Sequence, residues 1–158
     1  MDLATRLLHS RWLVRAPIWL FRIGGGVLFG GRLLLLQHRG RTTGARRFAV
    51  LEVSGRPDPD RLVVVAGLNA RPQWYRNVLV EPRVLVSVGR RRDARALAEP
   101  LDPDAAAARL REYADQHPAA WARLEQVVTA WAVPLAAAQG ERDWRRVVPV
   151  VELRLLDG

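Results

Sequence analysis

The chain has 158 residues, 49% hydrophobic and 26% charged, with 25 basic against 16 acidic side chains and a formal net charge of +9. That fits one globular domain over residues 1–158 and excludes disorder of the whole chain. With no cysteine, and with His9, His38 and His117 scattered, disulfides, iron–sulfur clusters, a cysteine nucleophile and a metal site are not expected. Every basic residue is arginine, so lysine chemistry is excluded and each fixed cation is a planar fork suited to phosphate or carboxylate. So basic a chain implies an anionic partner: nucleic acid, an acidic membrane surface or a polyanionic cofactor.

Residues 1–31 read as a helical arm. Over 3–21, Leu3, Leu7, Leu8, Trp12 and Leu13 recur at helical spacing, interrupted by Arg6, Arg11 and Arg15. Pro17 kinks or restarts the helix, and Gly24, Gly25 and Gly26 end it. Arg22, Arg32 and five glycines break the 16–36 stretch, so it should not span a membrane. Asp2 and the lack of a small-x-small site argue against a secretory signal, which makes the expected location cytoplasmic. Two readings stay open for the arm. It packs on the domain, or residues 1–22 lie on an anionic membrane surface with Trp12 and Trp19 at headgroup depth, which would place the protein at the inner face of the cell membrane.

From Arg32 the texture becomes stranded. Strands are expected at 32–38, 48–53, 61–68, 83–89, 92–99 and 147–156, with a polar turn HRGRTTGARR after the first and another turn at Gly55, Pro57 and Pro59. Pro149 suggests that the last strand starts at a sheet edge or bulge. Helices are expected at 74–82, closed by Pro82; from the Asp102–Pro103–Asp104 cap; and from Pro118 to about Trp131, with Pro134 breaking the last. Strands joined mostly by tight turns favour an antiparallel sheet curled into a small barrel, an α+β fold with peripheral helices. No GxGxxG or GxxxxGK[ST] phosphate loop occurs.

The segment HRGRTTGARR between two strands, followed by RPQWYRN and VEPRVLVSVGRRR, resembles the deazaflavin-dependent nitroreductase family from about Leu34 to Leu97. The resemblance implies a split β-barrel of the FMN-binding type over residues 32–158, with an N-terminal helix and inserted and C-terminal helices. It also implies the deazaflavin coenzyme F-420, with FMN as the alternative, and hydride transfer to a small-molecule acceptor of quinone-like or nitro type. On this reading Arg39, Arg41, Thr42, Thr43, Gly44, Arg46 and Arg47 serve the phosphate-linked tail. Ala66, Gly67, Leu68 and Asn69 lie against the flat head, and Trp74, Tyr75, Arg76 and Asn77 face ring or tail. Chemistry resides in the cofactor, so catalytic residues stay unassigned, with Tyr75 the candidate proton donor.

The sequence departs from the family pattern in three places. Leu68–Asn69 stand where a lysine–glycine pair is common, Tyr113 is the only tyrosine beyond residue 101, and Glu52 stands where an aromatic is often found. The competing classes are an FMN-binding split-barrel oxidoreductase and a non-enzymatic binder of an anionic ligand, a membrane surface or nucleic acid. No zinc-finger, RNP or helix-turn-helix pattern is present, so nucleic acid is not the expected partner. Nothing in the sequence chooses between monomer and homodimer.

Overall fold

Alternating burial along the strands sorts the apolar residues into two layers in the computed structural model, which describes residues 30–157. The arm helix expected at 3–21 lies outside the described residues. Seven strands form one sheet: β1 (Leu33–Arg39), β2 (Arg46–Glu52), β3 (Gly55–Asp58), β4 (Arg61–Val65), β5 (Arg83–Val88), β6 (Arg91–Pro100) and β7 (Val150–Leu155). Helix α1 (Gln73–Val80) connects β4 to β5. Helices α2 (Pro103–Gln116) and α3 (Pro118–Ala138) and a 3-10 turn at Trp144–Val147 fill the connection from β6 to β7.

Every pairing is antiparallel, in the order β2-β1-β5-β6-β7-β4-β3. The two edge strands, β2 and β3, are consecutive in the chain and separated only by Val53 and Ser54. Laid flat, seven strands would hold them about 29 Å apart, far beyond the reach of two residues. The sheet must therefore curl until its edges meet. Ser54 N donates to the carbonyl of Val63 on β4 at 2.9 Å where they do. The result is the split β-barrel of the α+β class.

Inside the barrel, Leu34 and Leu36 of β1 meet Val84 and Val86 of β5, Leu62 and Val64 of β4, and Leu153 of β7, over a row of small residues on β6, Ala94, Ala96 and Ala98. The opposite face of β4 and β7 turns Val63 and Val150 outward onto Leu110 and Tyr113 of α2 and Trp121 and Val128 of α3. Pairing strands that each carry two apolar faces explains the continuous runs RLVVV and VVEL. Asp102 accepts a hydrogen bond from Ala105 N at 2.9 Å, and Pro103 starts α2, as the cap predicts.

Four local expectations need correction. Residues 55–58, read as turn, form the short edge strand β3, whose Pro57 loses no ladder bond because no strand lies beyond it; the turn is Pro59–Asp60. Pro149 marks no sheet edge: it precedes β7, a central strand, and its carbonyl accepts from Ala66 N at 2.9 Å. Strand β4 stops at Val65, short of residue 68. Helix α3 continues through Pro134 to Ala138. An interior proline costs about 3 kcal/mol, and α3 offsets it by burying Val128, Ala132 and Ala136 on both sides of Pro134.

Candidate functional site

The barrel's inner row on β1 does not end in an apolar residue. Leu34 and Leu36 are followed, two residues on, by His38, which is 4% exposed. Opposite them on β2, Leu51 pairs with Leu34, Ala49 with Leu36 and Arg47 with His38. At this end β1 is unpaired with β5 beyond Gln37, so the barrel opens around His38.

The β1–β2 loop, residues 40–45, is pinned by Gly40 N to Ala45 O and Gly44 N to Gly40 O, both 2.8 Å, and Gly44 takes φ +70°. Only glycine adopts that conformation without cost. The loop throws Arg41, Thr42 and Thr43 outward, and Arg46 and Arg47 follow at the start of β2. Between Gln37 and Leu51 there is no acidic residue. Arg46 and Arg47 form no ion pair among the described residues.

Helix α1 forms the facing wall. Trp74, Asn77 and Val78 lie on one face at three- and four-residue spacing, and all three are buried. Between α1 and the hairpin lies a cleft of about 690 Å³ lined by His38, Gly40, Arg41, Thr42, Thr43, Arg46, Arg47, Phe48, Ala49, Gln73, Trp74 and Asn77. A side-chain chain ties the walls together. Arg41 donates through its backbone N (3.1 Å) and guanidinium (2.9 Å) to Asn77 Oδ1, and its guanidinium also reaches Gln73 Oε1 at 2.8 Å. Asn77 Nδ2 lies 3.1 Å from His38 Nδ1. Burial, with a further push from the Arg47 charge, lowers the His38 imidazole from 6.5 to about 4. His38 is therefore neutral at physiological pH.

Seven of the residues expected at a cofactor line this cleft: Arg41, Thr42, Thr43, Arg46, Arg47, Trp74 and Asn77. Gly44 shapes the loop behind it. The other seven lie elsewhere. Arg39 points its guanidinium at Gly44 O (3.3 Å) and borders a second cavity, of about 460 Å³, with Glu81, Arg83 and Arg95. Ala66 is buried in the barrel. A Cβ on Gly67 would meet Leu124 Cδ1 at 3.0 Å, and its carbonyl accepts from Trp131 Nε1, so this glycine serves the packing of α3. Leu68 is exposed, and Asn69 caps its own turn by accepting from Arg71 N. Tyr75 packs edge-on to Trp74 against the barrel and does not line the cleft; Arg76 is half-buried on α1, also outside it.

Sequence reasoning missed His38, Gly40, Phe48, Ala49 and Gln73 as cleft residues. The period-two row Leu34, Leu36, His38 was the available signal for the first. Two of the departures from the family pattern turn out to be partners: the Tyr113 hydroxyl donates to Glu52 Oε1 at 2.9 Å, away from the cleft. Burial and that carboxylate push the Tyr113 phenol up to about 12. Among the described residues no cluster of histidine and acidic side chains could hold a metal ion, and no helix is long and apolar enough to cross a membrane.

A sequence profile of the F420H(2)-dependent quinone reductase family matches residues 18–148, well over half of the chain. No curated protein matches the chain with significance. Among solved structures, the chain is similar to HutZ, the heme storage protein of Vibrio cholerae, at 12% identity over 87% of this chain and 89% of that one, with a TM-score of 0.52. It is also similar to an F420-H2 dependent reductase, FDR-A (23% identity, 78% and 94% covered, TM-score 0.45). A third is a protein of the pyridoxinephosphate oxidase family from Clostridium acetobutylicum (5%, 87% and 84%, 0.47).

Proposed function

We propose, since this chain belongs to the F420H(2)-dependent quinone reductase family and is a reductase dependent on coenzyme F-420, that the cleft between α1 and the β1–β2 hairpin holds the deazaflavin and that the acceptor is a quinone-like molecule. The observation that carries this reading is the cleft itself: about 690 Å³, walled by Trp74 and edged by Arg46 and Arg47, whose guanidiniums no carboxylate neutralises among the described residues. The residues fit the group. A tail rich in phosphate and carboxylate needs unpaired forks and hydroxyls, which Arg46, Arg47, Thr42 and Thr43 offer. A tricyclic head needs a flat apolar wall, which Trp74 offers.

When bound, the coenzyme supplies the hydride; the chain supplies everything else. Arg41 is held by Gln73 and Asn77 and so fixes the mouth of the cleft. Ala49 and Phe48 close one side with apolar surface and limit water there. No nucleophile is required, which suits a chain without cysteine or lysine. The test is a single turnover of protein loaded with reduced deazaflavin, mixed with a soluble quinone, a nitroaromatic or no acceptor. Rapid oxidation by the quinone supports the reading. Binding of FMN as tight as that of deazaflavin, or oxidation no faster than without acceptor, would refute it.

Attachment to a membrane surface through residues 1–22 belongs to the same proposal, resting on Trp12, Trp19 and the interleaved arginines. Sedimentation with anionic vesicles at low salt should carry the full chain down and leave a chain lacking residues 1–22 in solution. Full-length protein that ignores such vesicles would remove this part.

A further inference from the structure

One buried group in the cleft has its hydrogen atoms placed by its neighbours. Two donors of Arg41, the backbone N–H and the guanidinium, converge on one end of the Asn77 amide at 3.1 and 2.9 Å. Arginine has no acceptor, so that end must be the carbonyl oxygen and the other end the NH2 group. The NH2 group lies 3.1 Å from His38 Nδ1. A donor there requires Nδ1 to be the acceptor, and a neutral imidazole that accepts at Nδ1 carries its hydrogen on Nε2. Nε2 has no hydrogen-bond partner among the described residues, and the ring borders the cleft on one side and the second cavity on the other.

We infer that Arg41 and Asn77 lock His38 as the Nε2–H tautomer, and that His38 donates this hydrogen to a carbonyl oxygen or ring nitrogen of the ring system bound in the cleft, orienting it without giving up a proton. The inference rests on the reading that the cleft holds the deazaflavin. The surroundings agree with a neutral donor. On the cleft side Arg47 from β2 and Asn77 from α1 face His38, with Arg41 behind Asn77; β5 turns Val84 and Val86 inward, and on its other side His38 borders the second cavity with Arg39, Glu81, Arg83 and Arg95. Burial opposes an imidazolium at this point, and the Arg47 charge opposes it further.

The decisive experiment is nitrogen NMR of the full chain labelled in its histidine rings, with the His38 signals assigned by their loss in His38→Gln. Wild type at pH 7 should show Nε2 protonated and Nδ1 bare, and adding oxidised deazaflavin should shift the Nε2–H resonance. In Asn77→Asp the donor becomes an acceptor, so the hydrogen should move to Nδ1 or the ring should take a second one. Affinity for oxidised deazaflavin, by fluorescence titration, should fall about fivefold in His38→Leu, the size of one neutral hydrogen bond. It should recover in His38→Gln, whose amide can present an N–H at the same reach. A protonated Nδ1 in the wild type overturns the inference with no ligand needed. So does His38→Leu binding as tightly as wild type. Wild type that binds no deazaflavin would refute the cofactor reading instead, and with it the donation to that ring, while the tautomer measurement still judges the lock.

Discussion

Replacing Arg41 by alanine should destabilise the protein, whereas replacing Arg47 should not, although both sit in the same arginine-rich turn. The Arg41 guanidinium donates to Gln73 and Asn77 across the cleft, at 2.8 and 2.9 Å. The backbone bond to Asn77 survives the substitution, but the buried amide loses its second donor. Hydrogen bonds from a charged donor contribute about 1.5–3 kcal/mol when well shielded. Arg41 is half-buried and the Gln73 bond is exposed, so about 1–2 kcal/mol is expected for the pair. For a domain of this size that lowers Tm by about 3–6 °C. Arg47 makes no side-chain hydrogen bond or ion pair among the described residues, and its loss should stay within about 0.5 kcal/mol. Deazaflavin affinity should fall in both variants: through a slackened α1 wall in one, through a missing cation in the other. Thermal melts and urea titrations of both variants at pH 7 provide the test. Equal Tm values for Arg41→Ala and Arg47→Ala would refute the assignment of Arg41 to the frame of the site.

Stability should also depend on acidity through His38. The unfolded chain takes up a proton near pH 6.5, which the folded chain refuses until about 4, so stability is complete above pH 6.5 and is lost as pH falls through that window. The ceiling is about 3 kcal/mol, and water at the cleft edge reduces it to about 1–2 kcal/mol; urea unfolding between pH 4 and 7 should show a slope that His38→Gln lacks. Gly44→Ala should cost about 1–2 kcal/mol purely from its φ of +70°, because a Cβ there meets nothing within 4 Å; a neutral result would mean that the turn can change type. Leu110→Ala, in a side chain fully shielded between α2 and the outer sheet face, should cost about 2–5 kcal/mol, while Leu68→Ala, 59% exposed, should leave the denaturation midpoint unchanged.

The sequence by itself determined what depends on near neighbours. The short apolar run at 32–38 and the β-branched runs set the strands. Asp102 and Pro103 set the start of α2, and the two neighbouring strand runs set the β5–β6 hairpin, whose turn, expected at Arg90–Arg91, falls at Gly89–Arg90. The turn HRGRTTGARR announced a cationic, glycine-bearing loop, in which Gly44 takes φ +70°. What the sequence did not determine depends on the curl of the sheet and on where α1 lands. Arg41 and Arg47 are alike along the chain, yet one holds Gln73 and Asn77 and the other makes no ion pair among the described residues, because α1, more than thirty residues on, packs over the open end of β1. Gly67 reads as room for a flat ring until Leu124 of α3 fills that room. Tyr113 and Glu52, two unrelated oddities of sequence, become one hydrogen bond across 61 positions. Residues 55–58 read as a turn because of Pro57 and Pro59, yet the Pro59–Asp60 turn folds them back as a strand on β4. Secondary structure follows from propensity and period, which act over a few residues. The site follows from which edges the twist of a seven-stranded sheet brings together, and no local pattern encodes that.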